Sequence, residues 1–281
     1  MIRHYVPQSL LEALRFLRDS DCYIMSGGTD LMVQKHVSKE LLPNFDRDVL
    51  YVMGIKELDY IKKDEEGKIH IGATTRFVEI ENSPLIPEIY KEVIKVIASP
   101  NIRNMATMAG NIANASPAGD SIVPLVIDNA EVVLASLKGE RVVLVKDFIL
   151  GVRKTDLKGD EMIKEIIIKP QELTYFYKKV GSRKAESITK ISFMGAYRIE
   201  NNIIRDLRIA FGSVNVKVSR NLDLESRIKG QDIKILDKER MINAFMKLVV
   251  PITDQRSTKE YRYKVARNIL VKFVDEMLKE K

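Results

Sequence analysis

Apolar residues recur along this chain in two rhythms. After Pro7, residues Leu10, Leu11, Ala13, Leu14 and Leu17 follow the i, i+3, i+4, i+7 spacing of an amphipathic helix, with the proline near its first turn. Tyr23-Ile24-Met25 reads as a short strand that runs into a tight turn at Ser26-Gly27-Gly28-Thr29-Asp30, followed by Leu31-Met32-Val33. Leu50-Tyr51-Val52 and Ile69-His70-Ile71-Gly72 read as further strands. Residues 86–99 predict a helix ended by Pro100. The stretch from Asn101 to Asp120 breaks the rhythm: it is rich in Asn, Ala, Gly, Ser and Met, which predicts a functional loop with short helical turns.

A helix is expected again at Pro124-Leu125-Val126-Ile127. Glu131–Ala135 and Val142–Val145 predict two strands about a turn at Lys138-Gly139, and Ile166–Ile168 another. Pro170 marks a boundary. Beyond it, strands are expected at Tyr175–Tyr177, Ile191–Tyr197 and Leu207–Phe211, the last two joined at Asn201-Asn202. Tyr261, Val265, Ile269, Phe273 and Met277 recur about every four residues, so the chain is expected to close on a helix. The pattern divides into a mixed α/β unit over 1–170 and a smaller unit over 171–281, a short antiparallel sheet followed by helices.

Composition narrows the chemistry. The 281 residues suffice for two modest cores, and 45% are apolar. No apolar run reaches the roughly 18 to 20 residues of a membrane span. The first residues lack a secretory h-region, so a cytoplasmic location is expected. The single cysteine, Cys22, cannot form an internal disulfide, and one thiol cannot hold an iron–sulfur cluster, which needs about four. His4, His36 and His70 lack metal-ligand spacing, and no metal site is expected. The net charge of +7 comes from basic residues mixed with acids, as in Lys62-Lys63-Asp64-Glu65-Glu66, with no long like-charge run. That reads as a Lys-rich surface able to face an acidic partner, rather than a nucleic-acid site.

Two loops carry candidate chemistry. Paired glycines after a strand, Met25-Ser26-Gly27-Gly28-Thr29-Asp30-Leu31, let main-chain N–H groups converge on an anion. Taken alone, such a loop reads more readily as a plain tight turn. Thr107-Met108-Ala109-Gly110-Asn111-Ile112-Ala113-Asn114 offers a second small-residue turn. Two such nests suit a diphosphate. Asp120 reads either as a helix N-cap or as a carboxylate holding ribose hydroxyls. No G-x-G-x-x-G, P-loop or G-x-S-x-G pattern is present.

These blocks, with Ser99-Pro100-Asn101-Ile102-Arg103-Asn104 and the continuation Ala115-Ser116-Pro117-Ala118-Gly119-Asp120, resemble the FAD-binding medium subunit of molybdenum hydroxylases, the xanthine dehydrogenase and carbon monoxide dehydrogenase family. Tyr5-Val6-Pro7, Lys179–Ala185 and Pro251–Ser257 with Glu260-Tyr261-Arg262 extend the resemblance over nearly the whole chain. The resemblance implies an α+β fold: a two-subdomain PCMH-type FAD-binding domain, like that of vanillyl-alcohol oxidase relatives, and a small α+β C-terminal domain. It implies that Ile24, Met25, Ser26, Gly27, Gly28, Thr29, Asp30 and Leu31 bind one side of the FAD diphosphate, and Thr107, Met108, Ala109, Gly110 and Asn111 the other. Asp120 would hold the adenosine ribose, Ile97 would touch the flavin nucleotide, and Ile163 and Lys179 would lie near the isoalloxazine. The family has two glycines where this chain has Ala109-Gly110; if that position needs a left-handed backbone, alanine would retune FAD affinity.

The resemblance further implies an oxidoreductase subunit that transfers electrons and has no catalytic residue of its own. A large molybdenum–pterin subunit would hydroxylate the substrate. Two [2Fe–2S] clusters on a small subunit would feed FAD here, and electrons would leave to NAD+ or another acceptor. A dimer of heterotrimers is expected. The Gly27-Gly28-Thr29-Asp30 form leans toward xanthine-type enzymes. Two other readings stand beside it: a stand-alone FAD reductase of the same superfamily, against which the C-terminal resemblance argues, and a structural subunit that has lost FAD, which Ala109 favours.

Overall fold

In a computed structural model, residues 2–36, 43–184 and 186–280 are described. They form two units. One comprises the chain up to Ala115 together with Asn129–Pro170; the other comprises Ser116–Asp128 together with the chain from Gln171 onward. Among the described residues, no helix is long and apolar enough to cross a membrane.

The first unit contains two main sheets. In the smaller, Asp48–Tyr51 lies between His4–Tyr5 and Cys22–Met25 and runs parallel to both. Helix Leu10–Asp19 links the outer two strands, capped by Ser9 and buried through Ala13, Leu14 and Leu17. The larger sheet has five antiparallel strands in the order Ile61–Lys63, Ile69–Gly72, Met162–Ile168, Glu131–Ser136, Gly139–Leu144. Val132, Val133, Leu134 and Ala135 are buried in succession, as a strand covered on both faces requires. Gly139–Leu144 is the edge, and its Arg141 pairs with Asp156 and Glu161 at 2.6 and 2.7 Å.

The expected helix over 86–99 is shorter. It spans Glu88–Lys95, and Pro100 opens a second helical turn instead of closing the first. Proline suits the first helical position, where its missing N–H has no partner to lose. Ser99 caps that turn, after Ala98 takes a positive φ of 46°. The helix Phe77–Asn82 carried no clear periodic signal.

The second unit is built on one antiparallel sheet, ordered Thr174–Val180, Ile191–Glu200, Ile203–Gly212, Ser219–Arg220. Asn201 and Asn202 take φ of 54° and 63°, the left-handed pair that a tight hairpin turn demands. Ile191–Tyr197 is buried without interruption, so alternate side chains serve opposite faces. On one face Phe193, Gly195 and Tyr197 meet the helix Lys259–Leu278 through Phe273, whose ring centroid is 5.4 Å from Phe193 and 5.8 Å from Tyr197. A Cβ on Gly195 would lie 2.4 Å from that ring. The wholly buried helix Ile122–Ile127 packs against the same two central strands.

That helix ends on two arginines. Arg220 Nη1 donates to the carbonyls of Val126 and Ile127 at 2.6 and 2.9 Å, and Arg208 Nη1 donates to Ile127 O at 3.1 Å. Buried cations at helical carbonyls need counter-charge. Glu225 supplies it to Arg220 at 2.8 Å, and Asp206 to Arg208 at 3.0 Å. Of the stretch Lys179–Ala185, Lys179 and Val180 complete a strand, and Ala185 lies outside the described residues.

Phe273 is fully buried at the centre of this core. Phe273→Ala is expected to lower unfolding free energy by about 3–5 kcal/mol, read from the urea midpoint at constant slope.

Candidate cofactor-binding site

The strand Cys22–Met25 ends against Tyr51, and the chain turns at once through Ser26–Asp30 into the short helix Leu31–Gln34. Gly28 makes that turn with φ of +69°, a conformation costly to side chains. Gly27 is required for a different reason. A Cβ there would lie 1.9 Å from the carbonyl oxygen of Met105, so the turn can touch the 105–107 segment only where no side chain intervenes. Among the described residues, the main-chain N–H groups of Gly27, Gly28, Thr29 and Asp30 have no hydrogen-bond acceptor. Partly exposed donors of this kind are available to an anion.

The second loop meets the first through hydroxyls. Thr107 caps the helix Met108–Asn114, its Oγ1 accepting the Gly110 N–H at 3.0 Å, and the same oxygen lies 2.9 Å from Ser26 Oγ. A Cβ on Gly110 would sit 3.0 Å from both oxygens, so glycine keeps this pair intact. Between the loops is a cavity of about 280 Å³. Ile24, Met25, Ser26, Gly27, Gly28, Thr29, Asp30 and Leu31 line it from one side, and Thr107, Gly110 and Asn111 from the other.

Met108 and Ala109 do not line it; both are buried in their helix. Ala109 lies in right-handed helical backbone, not in the left-handed region, so its methyl carries no backbone strain. Ile97 is half-buried in the turn after helix Glu88–Lys95, where its carbonyl accepts from Arg103 at 3.0 Å. Ile163 is buried in a central strand, opposite Leu134 and beside a bulge. Neither reaches the cavity.

Asp120 and Lys179 come together in the second unit. Lys179 Nζ is 2.8 Å from the Asp120 carboxylate, and Thr189 Oγ1 donates to the same group at 2.7 Å. Burial pushes the Asp120 carboxyl above its ordinary range, against the pull of the Lys179 ammonium and the Thr189 hydroxyl. The buried Tyr177 hydroxyl has no partner among the described residues, and burial followed by the Asp120 charge raises it well above the usual phenol range.

Sequence reading missed several lining residues, Tyr23, Gln34, Ala106 and Arg153, while Ala113 and Asn114 belong to the second candidate loop. Tyr23 sits between cations, with Arg47 at 4.1 Å and Lys35 at 4.3 Å from its ring centroid. Its adjacency to the loop is the one signal that could have drawn it in. Arg153 lies too far along the chain for any local signal.

Gly27→Ala is expected to force the two loops apart and lower the thermal midpoint by several degrees, because a methyl cannot share space with a backbone carbonyl. A midpoint equal to that of the unsubstituted chain, with the cavity still able to bind its ligand, would show that the contact is not required.

Comparison with known proteins completes the picture. The family described as FAD binding domain in molybdopterin dehydrogenase matches residues 1–171, and that described as CO dehydrogenase flavoprotein C-terminal domain matches residues 175–277. The glyceraldehyde dehydrogenase medium chain of Sulfolobus acidocaldarius is 28% identical over 274 residues, covering 96% of each chain. The nicotinate dehydrogenase FAD-subunit of Eubacterium barkeri is 34% identical over 209 residues, 70% of this chain and 69% of that one. In fold, the chain is similar to one in the reconstituted CO dehydrogenase from Oligotropha carboxidovorans, with a TM-score of 0.86 at 21% identity over 97% of this chain and 96% of that one. The family matches span nearly the full length, and the chain belongs to the FAD-binding medium subunits of the molybdenum hydroxylases, the xanthine dehydrogenase and CO dehydrogenase family of oxidoreductases.

Proposed function

We propose that the cavity between the Ser26–Asp30 turn and the start of helix Met108–Asn114 receives the diphosphate of FAD. One observation carries this reading. Four consecutive main-chain N–H groups, Gly27 to Asp30, lack acceptors among the described residues at the wall of a cavity that two glycines hold open. A cavity of about 280 Å³ is at the small end for a ligand site, so it suits the diphosphate and its neighbouring atoms rather than the whole dinucleotide. The bonded pair of Ser26 and Thr107 hydroxyls leaves one O–H to donate, and the N-terminus of the second loop's helix adds to the positive field. In this reading 1–170 is the cofactor domain and 171–281 the C-terminal domain. By resemblance to the family, Asp120 would hold the adenosine ribose, Ile97 would touch the flavin nucleotide, and Ile163 and Lys179 would lie near the isoalloxazine.

When bound, FAD supplies two-electron redox chemistry, with electrons arriving from [2Fe–2S] clusters on a small partner subunit and leaving to NAD+ or another acceptor. The chain's own part is to bind, orient and shield. Its single cysteine supports placing the clusters on another chain, since each needs about four thiolates. The organic substrate would be met by a large molybdopterin subunit within a dimer of heterotrimers. The relatives' names support a role as one subunit among several, one being a glyceraldehyde dehydrogenase medium chain and another a nicotinate dehydrogenase FAD-subunit. The glycine-pair loop inclines the reading toward a xanthine-type complex.

The purified chain is expected to be yellow, with absorption near about 370 and 450 nm and FAD as the nucleotide released by acid. A chain that is colourless both alone and when co-expressed with its partner subunits would overturn the assignment.

A further inference from the structure

Arg153 stands at the tip of the small hairpin formed by Ile149–Gly151 and Lys154–Thr155. Its backbone takes a φ of 53°, and its N–H donates to Ala115 O at 3.0 Å, which ties the hairpin tip to the end of helix Met108–Asn114. The side chain reaches the cavity wall. There Nη1 lies 3.0 Å from Asn114 Oδ1 and 3.4 Å from Asp30 Oδ2, and Gln34 Nε2 shares the same Asn114 oxygen at 2.9 Å. Among the described residues that line the cavity, Arg153 is the one cationic side chain and Asp30 the one anionic side chain.

Only Nη1 is engaged. Among the described residues, Nε and Nη2 have no hydrogen-bond partner, so most of a five-donor guanidinium is uncommitted. The side chain is 49% exposed and its longer contact, at 3.4 Å, is weak, so little holds it in one rotamer. Main-chain N–H groups and hydroxyls can solvate phosphate oxygens, but they carry no net charge. A diphosphate brings two negative charges into a cavity where Asp30, the only formal anion among the described lining residues, repels it.

We propose that Arg153 is a ligand of the dinucleotide diphosphate: Asn114 and Asp30 hold it beside the cavity through Nη1, and its free Nε–Nη2 edge turns onto phosphate oxygens when the dinucleotide binds. This rests on the reading of the cavity as a diphosphate site. Guanidinium and phosphate match in planar, paired donor geometry, which a lysine could not reproduce. Asp30 then has a role that its sign would otherwise make hard to explain, since it positions the cation that neutralises the ligand.

The test uses the full chain stripped of bound flavin, with FAD as the probe and flavin fluorescence as the readout. Arg153→Gln bears the same positive-φ cost and removes the charge and the guanidinium donor array, its shorter amide ending short of where Nη1 and Nη2 lie. The FAD Kd is expected to rise roughly tenfold in the variant, with the thermal midpoint of the stripped chain unchanged. The gap between the two chains is expected to narrow as salt is raised, because the lost interaction is ionic. An unchanged Kd in the variant overturns the proposal. So does a weakened Kd that is accompanied by a lowered midpoint, or that is indifferent to salt, since either marks Arg153 as structural. A wild-type chain that takes up no FAD defeats the reading of the cavity itself, and is told apart from the other results because it does not depend on the variant.

Discussion

The site depends on a contact with no clearance. The backbone of Gly27 approaches the Met105 carbonyl so closely that a methyl group would lie 1.9 Å from its oxygen. Everything else at the site follows from that approach. It brings Ser26 within 2.9 Å of Thr107, and it aligns the turn after the strand Cys22–Met25 with the start of helix Met108–Asn114. Two loops some eighty residues apart in sequence thereby become opposite walls of one cavity. Glycine acts at three points for three reasons: close approach at Gly27, a left-handed turn at Gly28, and room for two hydroxyls at Gly110.

Charge in that cavity is sparse. Its walls offer amide donors and hydroxyls and, among the described residues, a single arginine offset by a single aspartate. Such a site recognises an anion by geometry first, since dipoles fixed by the backbone need no reorganisation when a ligand arrives. Ala109 illustrates the same priority of geometry. Its methyl would matter in a left-handed turn, and it is harmless in a helix.

The second unit solves a different problem, a sheet that must be covered on both faces. The helix Lys259–Leu278 covers one face through Phe273, and the helix Ile122–Ile127 packs against the same strands. Burying the second helix end to end would strand its last carbonyls, each a costly loss of hydrogen bonding. Arg208 and Arg220 meet those carbonyls, and Asp206 and Glu225 neutralise the arginines. Beside them, Lys179 and Thr189 hold Asp120, so the segment 116–128 is anchored at both ends by buried polar contacts.

The sequence by itself determined the parts that local physics controls. The leucine spacing before Leu17, the four-residue recurrence from Tyr261 to Met277 and the Asn201-Asn202 turn are each written locally and form the elements that their spacing requires; of the two glycine loops the first forms a tight turn, whereas Thr107–Asn114 becomes a helix capped by Thr107. Tertiary structure decided what depends on distant partners. Pro100 reads as a stop by its chemistry alone, yet it opens a turn because Ser99 caps it and Arg103 binds the preceding carbonyls. Asp120 carries no mark in its neighbours that Lys179 and Thr189 will claim it. Arg153 reaches the cavity only because a hairpin bonds to Ala115 and turns the side chain back toward Asp30, across 123 positions of chain. Periodicity and turn chemistry act over one or two helical turns; ion pairs and close backbone contacts are set by packing, and packing is known only once the chain has folded.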